Sequence, residues 1–172
     1  MHNVHERRIE GPPAAVGALM DSLASSDDRL WPWRRWPRMR LDRGLEIGSK
    51  GGHGPVRYAV ARHEPLRLVA FAFTPAFGVV GEHRYEVLPH PGGGTLLRHV
   101  LEGRPVGWMR LGWPLCFRWL HDALIEDSFD RAQSQLAAEE WQPRPLSPPV
   151  RLLRRALGRR PPALDRPATR AG

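Results

Sequence analysis

The residues of this 172-residue chain best placed to do chemistry are two histidines in alternating segments. In 80–89, His83, Tyr85 and Val87 alternate with Glu82, Arg84 and Glu86, and in 94–103 the matching set is Thr95, Leu97, His99 and Leu101. Successive side chains of a strand point to opposite faces, so both histidines belong to the apolar face. If the turn Pro89-His90-Pro91-Gly92-Gly93-Gly94 sets Val87 opposite Thr95, then Tyr85 faces Leu97 and His83 faces His99. Two imidazoles on an apolar wall can orient a carbonyl or exchange a proton near neutral pH. Each can equally be a wall residue bonded to backbone or water, and a slip of one residue would separate them.

Other chemistry-bearing residues form weaker patterns. His121 and Asp122 are adjacent in a helical pattern, about 100° apart around the axis, so they are not a ready-made dyad; the expected placement puts His121 beneath a Trp/Pro loop and Asp122 in solvent. A metal site from His83, His99 and His121 lacks the spacing of known ligand motifs, and no metal or cofactor is expected. The stretch Gly48-Ser49-Lys50-Gly51-Gly52-His53-Gly54-Pro55 is no phosphate loop, because Lys50 precedes the glycines and a strand pattern follows; it reads as a hairpin or rim loop. No serine sits in a Gly-x-Ser-x-Gly elbow. The lone Cys116 can form neither an internal disulfide nor a thiolate metal cluster, and it reads as a small core residue.

These residues need a scaffold. Residues 2–10 read as an edge strand stopped at Gly11-Pro12-Pro13. Val16, Leu19, Met20 and Leu23 recur at helical spacing behind a proline suited to a first turn. Trp31, Trp33 and Trp36 then alternate with prolines in an ordered loop. Five strands are expected at 41–47, 55–63, 66–74, 80–89 and 94–103. A long helix follows over 114–140, with Trp113, Phe117, Leu120, Leu124, Ala132 and Leu136 on its apolar side. The longest clean apolar run, Leu68 to Phe73, is far short of the roughly 20 residues that span a bilayer. With no apolar leader-like segment behind the charged start, a cytoplasmic protein without a transmembrane segment is expected.

The net charge of +8 is unevenly placed. Residues 1–141 carry a net charge of +1, whereas 142–172 hold 8 Arg and 7 Pro against the single Asp165. The reading is one domain over 1–141 and an Arg/Pro-rich tail over 142–172. The tail's composition disfavours a packed core, and 151–157 is its only helical turn or two. The tail is expected either to be a disordered solubilising extension or to make weak contact with a polyanion or an anionic membrane, the latter through Leu152, Leu153, Ala156 and Leu157.

The element order is strand, helix, broken Trp/Pro connection, five strands and one long helix. With Gly51-Gly52-His53-Gly54-Pro55-Val56-Arg57-Tyr58 leading a strand and Trp113-Pro114 ahead of Leu120-His121-Asp122-Ala123-Leu124, it resembles the START-like or SRPBCC superfamily, and within it the uncharacterised bacterial members. Polyketide cyclase/aromatases and lipid-transfer domains share that helix-grip fold. The resemblance implies an α+β fold: a curved antiparallel sheet of six or seven strands wrapped around a long C-terminal helix, with a short helical segment after strand 1. It also implies a hydrophobic pocket, though one fold hosts many functions. The expected ligand is a small hydrophobic or aromatic molecule between sheet and helix. Tyr58, Val60, Phe71, Phe73, His83, Tyr85, Leu97 and His99 would line the sheet wall, with Leu120, His121 and Leu124 opposite. One alternative is an aromatase/cyclase-type enzyme using the pocket histidines or Tyr85 as acid and base. Another is an interaction protein acting through its basic tail.

Overall fold

The computed structural model describes residues 1–157. Its elements are β1 (His2–Ile9), α1 (Pro13–Asp21), β2 (Arg40–Leu41), β3 (Lys50–His53), β4 (Val56–Glu64), β5 (Leu68–Phe73), β6 (Val79–Pro89), β7 (Thr95–Pro105), α2 (Met109–Gly112), α3 (Arg118–Leu136) and α4 (Pro148–Leu157). A 3-10 turn, Pro75–Phe77, links β5 to β6, and a π-helical turn, Trp113–Phe117, joins α2 to α3. All seven strands pair antiparallel in the order β1-β7-β6-β5-β4-β3-β2, a meander whose far edge is closed by the N-terminal strand. This is the expected α+β architecture of a curved sheet with a long helix across its apolar face.

The α1 helix starts behind Pro12, with Pro13 where its missing N–H costs nothing. It buries Val16, Leu19 and Met20 against β5, β6 and β7. Gly17 lies where the helix meets the β4–β5 turn: a Cβ there would stand 2.4 Å from the Leu66 carbonyl oxygen. Glycine to alanine inside a helix ordinarily stabilises by about 0.5–1 kcal/mol. Here the clash is with backbone that cannot yield, so Gly17→Ala is expected to destabilise by about 1–3 kcal/mol, read as a lowered urea midpoint.

Three expectations are corrected. The strand anticipated at 41–47 shrinks to Arg40–Leu41, because Asp42 Oδ1 accepts from both Ser49 Oγ and the Lys50 amide, each at 2.8 Å, and turns the chain back. The glycine-rich stretch instead contributes β3. Its glycines are close-approach residues rather than breakers: a Cβ on Gly51 would lie 1.9 Å from the Arg40 carbonyl oxygen, and one on Gly52 1.9 Å from that of Val56. The long helical stretch begins at Met109 and ends at Leu136 rather than spanning 114–140. Pro114 sits inside it, and the π turn opens the helix around a residue that has no N–H to donate.

The described part of the tail also differs from a chain without structure. Residues 148–157 form α4, which packs on α3 with Val150 buried. Arg154 donates to the Arg35 carbonyl at 2.6 Å and stacks over the Trp36 ring at 4.8 Å. The helical turn or two read at 151–157 is thus part of α4, and what composition does not show is its anchorage through buried Val150, the Arg154 hydrogen bond and the Arg154–Trp36 contact. The remaining tail, 158–172, lies outside the described residues. Among the described residues no helix is long and apolar enough to cross a membrane.

Candidate functional site

The β6–β7 register is displaced by two residues from the expected one. Pro89 pairs with Thr95, Val87 with Leu97, Tyr85 with His99, and His83 with Leu101. The chain reverses within 90–94 because Gly93 and Gly94 both take positive φ, 80° and 76°, which leaves Leu88 and Pro89 in the ladder. A two-residue shift preserves faces, so the histidines still meet, now diagonally. His83 Nδ1 lies 3.3 Å from His99 Nε2, and the rings are 5.5 Å apart.

Beside this pair is a cavity of about 390 Å³ between the sheet and the N-terminal half of the long helix, within the range of small-molecule sites. Phe73, Val79, His83, His99 and Leu101 form its sheet wall with Phe77 of the β5–β6 turn, and Trp113, Phe117, Leu120, His121 and Leu124 its roof. Trp31, Trp36 and Pro37 close one side with the β3–β4 hairpin tip, His53-Gly54-Pro55. Met1, Val56, Ile125 and, from α4, Arg154 and Leu157 complete the lining. That hairpin is the glycine-rich segment read as a rim loop.

Six of the anticipated pocket residues therefore line the cavity: Phe73, His83, His99, Leu120, His121 and Leu124. Tyr58, Val60, Phe71, Tyr85 and Leu97 share their face but lie in the packed core instead. The reason is that α1, together with Phe129 and Ala132 of α3, fills that stretch of the sheet. Tyr85 spends its hydroxyl on Ser128 Oγ at 3.4 Å, and Tyr58 reaches His53 Nδ1 at 3.0 Å. His53 was not among the anticipated site residues. Its only sequence signal was its place at the end of the glycine run before a strand, which cannot reveal that its ring packs at a tilt 4.7 Å from Trp31.

The cavity thus carries four imidazoles. Burial pushes His83 and His99 well below the ordinary histidine range and His53 down to about 3, with Arg84 adding to the effect at His99 and Arg57 at His53. His121 is also lowered by burial, against the opposing pull of Asp122. All four are neutral at pH 7. A neutral ring has one N–H and one lone pair, yet His83 Nε2, His99 Nδ1 and His121 Nε2 are buried without a hydrogen-bond partner.

His121 and Asp122 depart from their expected places. His121 lies 5.0 Å from His99 and 5.6 Å from Trp113, ring to ring. Its Nδ1 is 3.5 Å from Asp122 Oδ1, which also accepts from Asn3 Nδ2 at 3.0 Å and pairs with His5 Nε2 at 3.1 Å. Burial opposes it, but these partners hold the Asp122 carboxyl below its ordinary range. His5, in turn, meets Glu126 at 2.7 Å through Nδ1, and its two carboxylate partners outweigh burial and raise its pKa. Among the described residues the groups with spacing for a metal ion are His5, His121 and Asp122, whose donor atoms fall within 4.8 Å of one another; His5 already pairs with both Asp122 and Glu126.

Neither a known family profile nor a curated protein sequence matches this chain. Solved structures do. A truncated norcoclaurine synthase from Thalictrum flavum superposes with a TM-score of 0.61 at 11% identity, over 81% of this chain and 95% of its own. CalU16 from Micromonospora echinospora gives 0.57 at 15% identity, over 91% and 83%. A conserved protein of unknown function from Enterococcus faecalis, EF2215, gives 0.56 at 11%, over 91% and 81%. The fold is a helix grip. At these identities the likeness establishes the architecture alone; the helix grip places the cavity under the long helix and leaves its chemistry to the residues that line it.

Proposed function

We propose that this chain is a SRPBCC-like protein that binds a small, mainly apolar or aromatic molecule carrying at least one hydrogen-bonding group. One observation carries the reading: an apolar cavity of about 390 Å³ lined by His83, His99 and His121, each of which keeps a buried ring nitrogen with no protein partner. Buried polar atoms are costly when unpaired, so a ligand carbonyl or hydroxyl that pairs with them gains both orientation and affinity. Aromatic walls at Phe73, Phe117 and Trp113 supply apolar contact.

Native mass spectrometry of the protein purified from its own host tests this directly, with a copurified mass expected that is released on unfolding. Changing His83→Gln and His99→Gln together is expected to weaken binding of that molecule by about tenfold. A cavity that copurifies with nothing, and that raises the melting temperature with no member of a panel of aromatic carbonyl compounds, would refute the reading.

The contact between His121 Nδ1 and Asp122, with Nε2 left free, favours a second reading as an acid/base enzyme of the aromatase/cyclase type. Asp122 would hold the tautomer that presents the Nε2 lone pair to a substrate proton. His121→Gln then abolishes turnover and retains binding, whereas a binding protein loses only affinity.

A further inference from the structure

The helical stretch that roofs the cavity is apolar on its outside as well. Trp108, Leu111, Leu115 and Trp119 are 60%, 71%, 69% and 49% exposed, and their spacing of three, four and four residues places them along one face. The opposite face supplies Trp113, Phe117 and Leu120 to the cavity. A helix that is apolar all round needs an apolar partner on every side, and among the described residues nothing covers this stripe. Contiguous exposed patches of this kind mark interaction sites.

The flanks decide the partner. Arg104, Arg110 and Arg118 are exposed, and no Asp or Glu occurs between Gly103 and His121. Arg118 has Asp122 Oδ2 at 3.7 Å, whereas Arg104 and Arg110 have no carboxylate partner among the described residues, and a two-fold contact with a second copy would bring these uncompensated charges toward each other. An anionic bilayer instead offers hydrocarbon to the leucines, the headgroup boundary to a tryptophan at each end of the stripe, and phosphates to the arginines. We propose that the outer face of Trp108–Trp119 docks this protein on an anionic membrane surface, so that the helix roofing the cavity lies against lipid. The inference does not depend on what the cavity holds.

The test uses the full chain and flotation with vesicles of phosphatidylcholine, alone or with about one third phosphatidylglycerol. Binding is expected to the anionic vesicles, and the variant Trp108→Ser/Leu111→Ser/Leu115→Ser/Trp119→Ser is expected to lose at least about tenfold in partitioning. Leu111, Leu115 and Trp119 lie outside the core, whereas Trp108 also packs on Phe117 with ring centroids 5.6 Å apart; far-ultraviolet circular dichroism of the variant should match the parent, and Leu111→Ser/Leu115→Ser, which keeps Trp108, should also lose partitioning. Arg110→Gln and Arg118→Gln should each reduce the preference for anionic over neutral vesicles by about fivefold. Three results overturn the proposal: no vesicle binding by the parent chain; undiminished binding by the serine variant with loss in Arg151→Gln/Arg155→Gln, which would assign the contact to the basic tail; or concentration-dependent self-association that the serine variant abolishes.

Discussion

Acidification from pH 6.5 to about 5 is expected to destabilise this protein steeply. His53, His83, His99 and His121 all have folded-state pKa values below the 6.5 of an unfolded chain, chiefly because burial disfavours the imidazolium. Above 6.5 both states hold these rings neutral and the folded state has its full stability. As pH falls below 6.5 the unfolded chain takes up protons that the native state refuses, and stability falls toward the folded-state values. His5 works in the opposite direction: its raised pKa contributes stability below 6.5 that is lost as pH rises through its folded value. Below 6.5 both states hold His5 protonated, so it does not offset the four; each ring that stays neutral in the folded state removes about 1.4 kcal/mol per pH unit, against a total stability on the order of 5–15 kcal/mol. The measurement is the urea midpoint from pH 7.5 to 5. His83→Gln/His99→Gln should flatten the slope by about two protons' worth; a midpoint unchanged across this range would show that the cavity accepts imidazolium and that its walls are hydrated.

The second large effect lies where the Trp/Pro loop is tied to α3. Buried Asp127 accepts from Trp36 Nε1 at 2.7 Å and from the Arg35 guanidinium at 3.1 Å. Asp127→Ala strands an indole N–H and an arginine held at 15% side-chain exposure, and breaking a buried pair on one side costs about 3–5 kcal/mol. Asp127→Asn keeps an acceptor for Trp36 and should cost about half as much. Urea unfolding followed by circular dichroism distinguishes the two. Trp36 and Pro37 line the cavity, so the alanine variant should also lose the ligand. A loss below about 1 kcal/mol would mean that the loop is held instead by Asp28, which accepts from the Ala24, Leu30 and Trp31 amides, and by Arg131, which donates to the Trp31 and Asp28 carbonyls.

Much of this molecule is local and therefore readable in its sequence. Alternation in 80–89 and 94–103 is enough to put His83, Tyr85, Leu97 and His99 on one face, because a strand's side chains repeat every two residues whatever it pairs with. Helical spacing finds α1 and the roof helix for the same reason. What periodicity does not carry is the distance between segments. The register of β6 on β7 was set by two positive-φ glycines rather than by the hydrophobic pattern, which both alignments satisfy equally. The short β2 and the glycine-lined β3 depended on a side chain, Asp42, capturing its own neighbourhood, and on backbones approaching too closely for any Cβ.

By itself, then, the sequence determined the layers and the faces: a meander with an apolar side, a long helix to cover it, and histidines set into that side. Only the tertiary structure decided that α1 would fill one stretch of the sheet and leave another open, which moved Tyr58, Val60, Phe71, Tyr85 and Leu97 into the core and brought His53 to the cavity. It also decided that Asp122 would sit among Asn3, His5 and His121, and that α4 would close against Trp36. The physical reason is one of range. Periodicity follows from backbone geometry within a single element, whereas a cavity is the space several elements fail to fill, and its outline depends on contacts more than a hundred residues apart in the chain, such as His5 with Asp122.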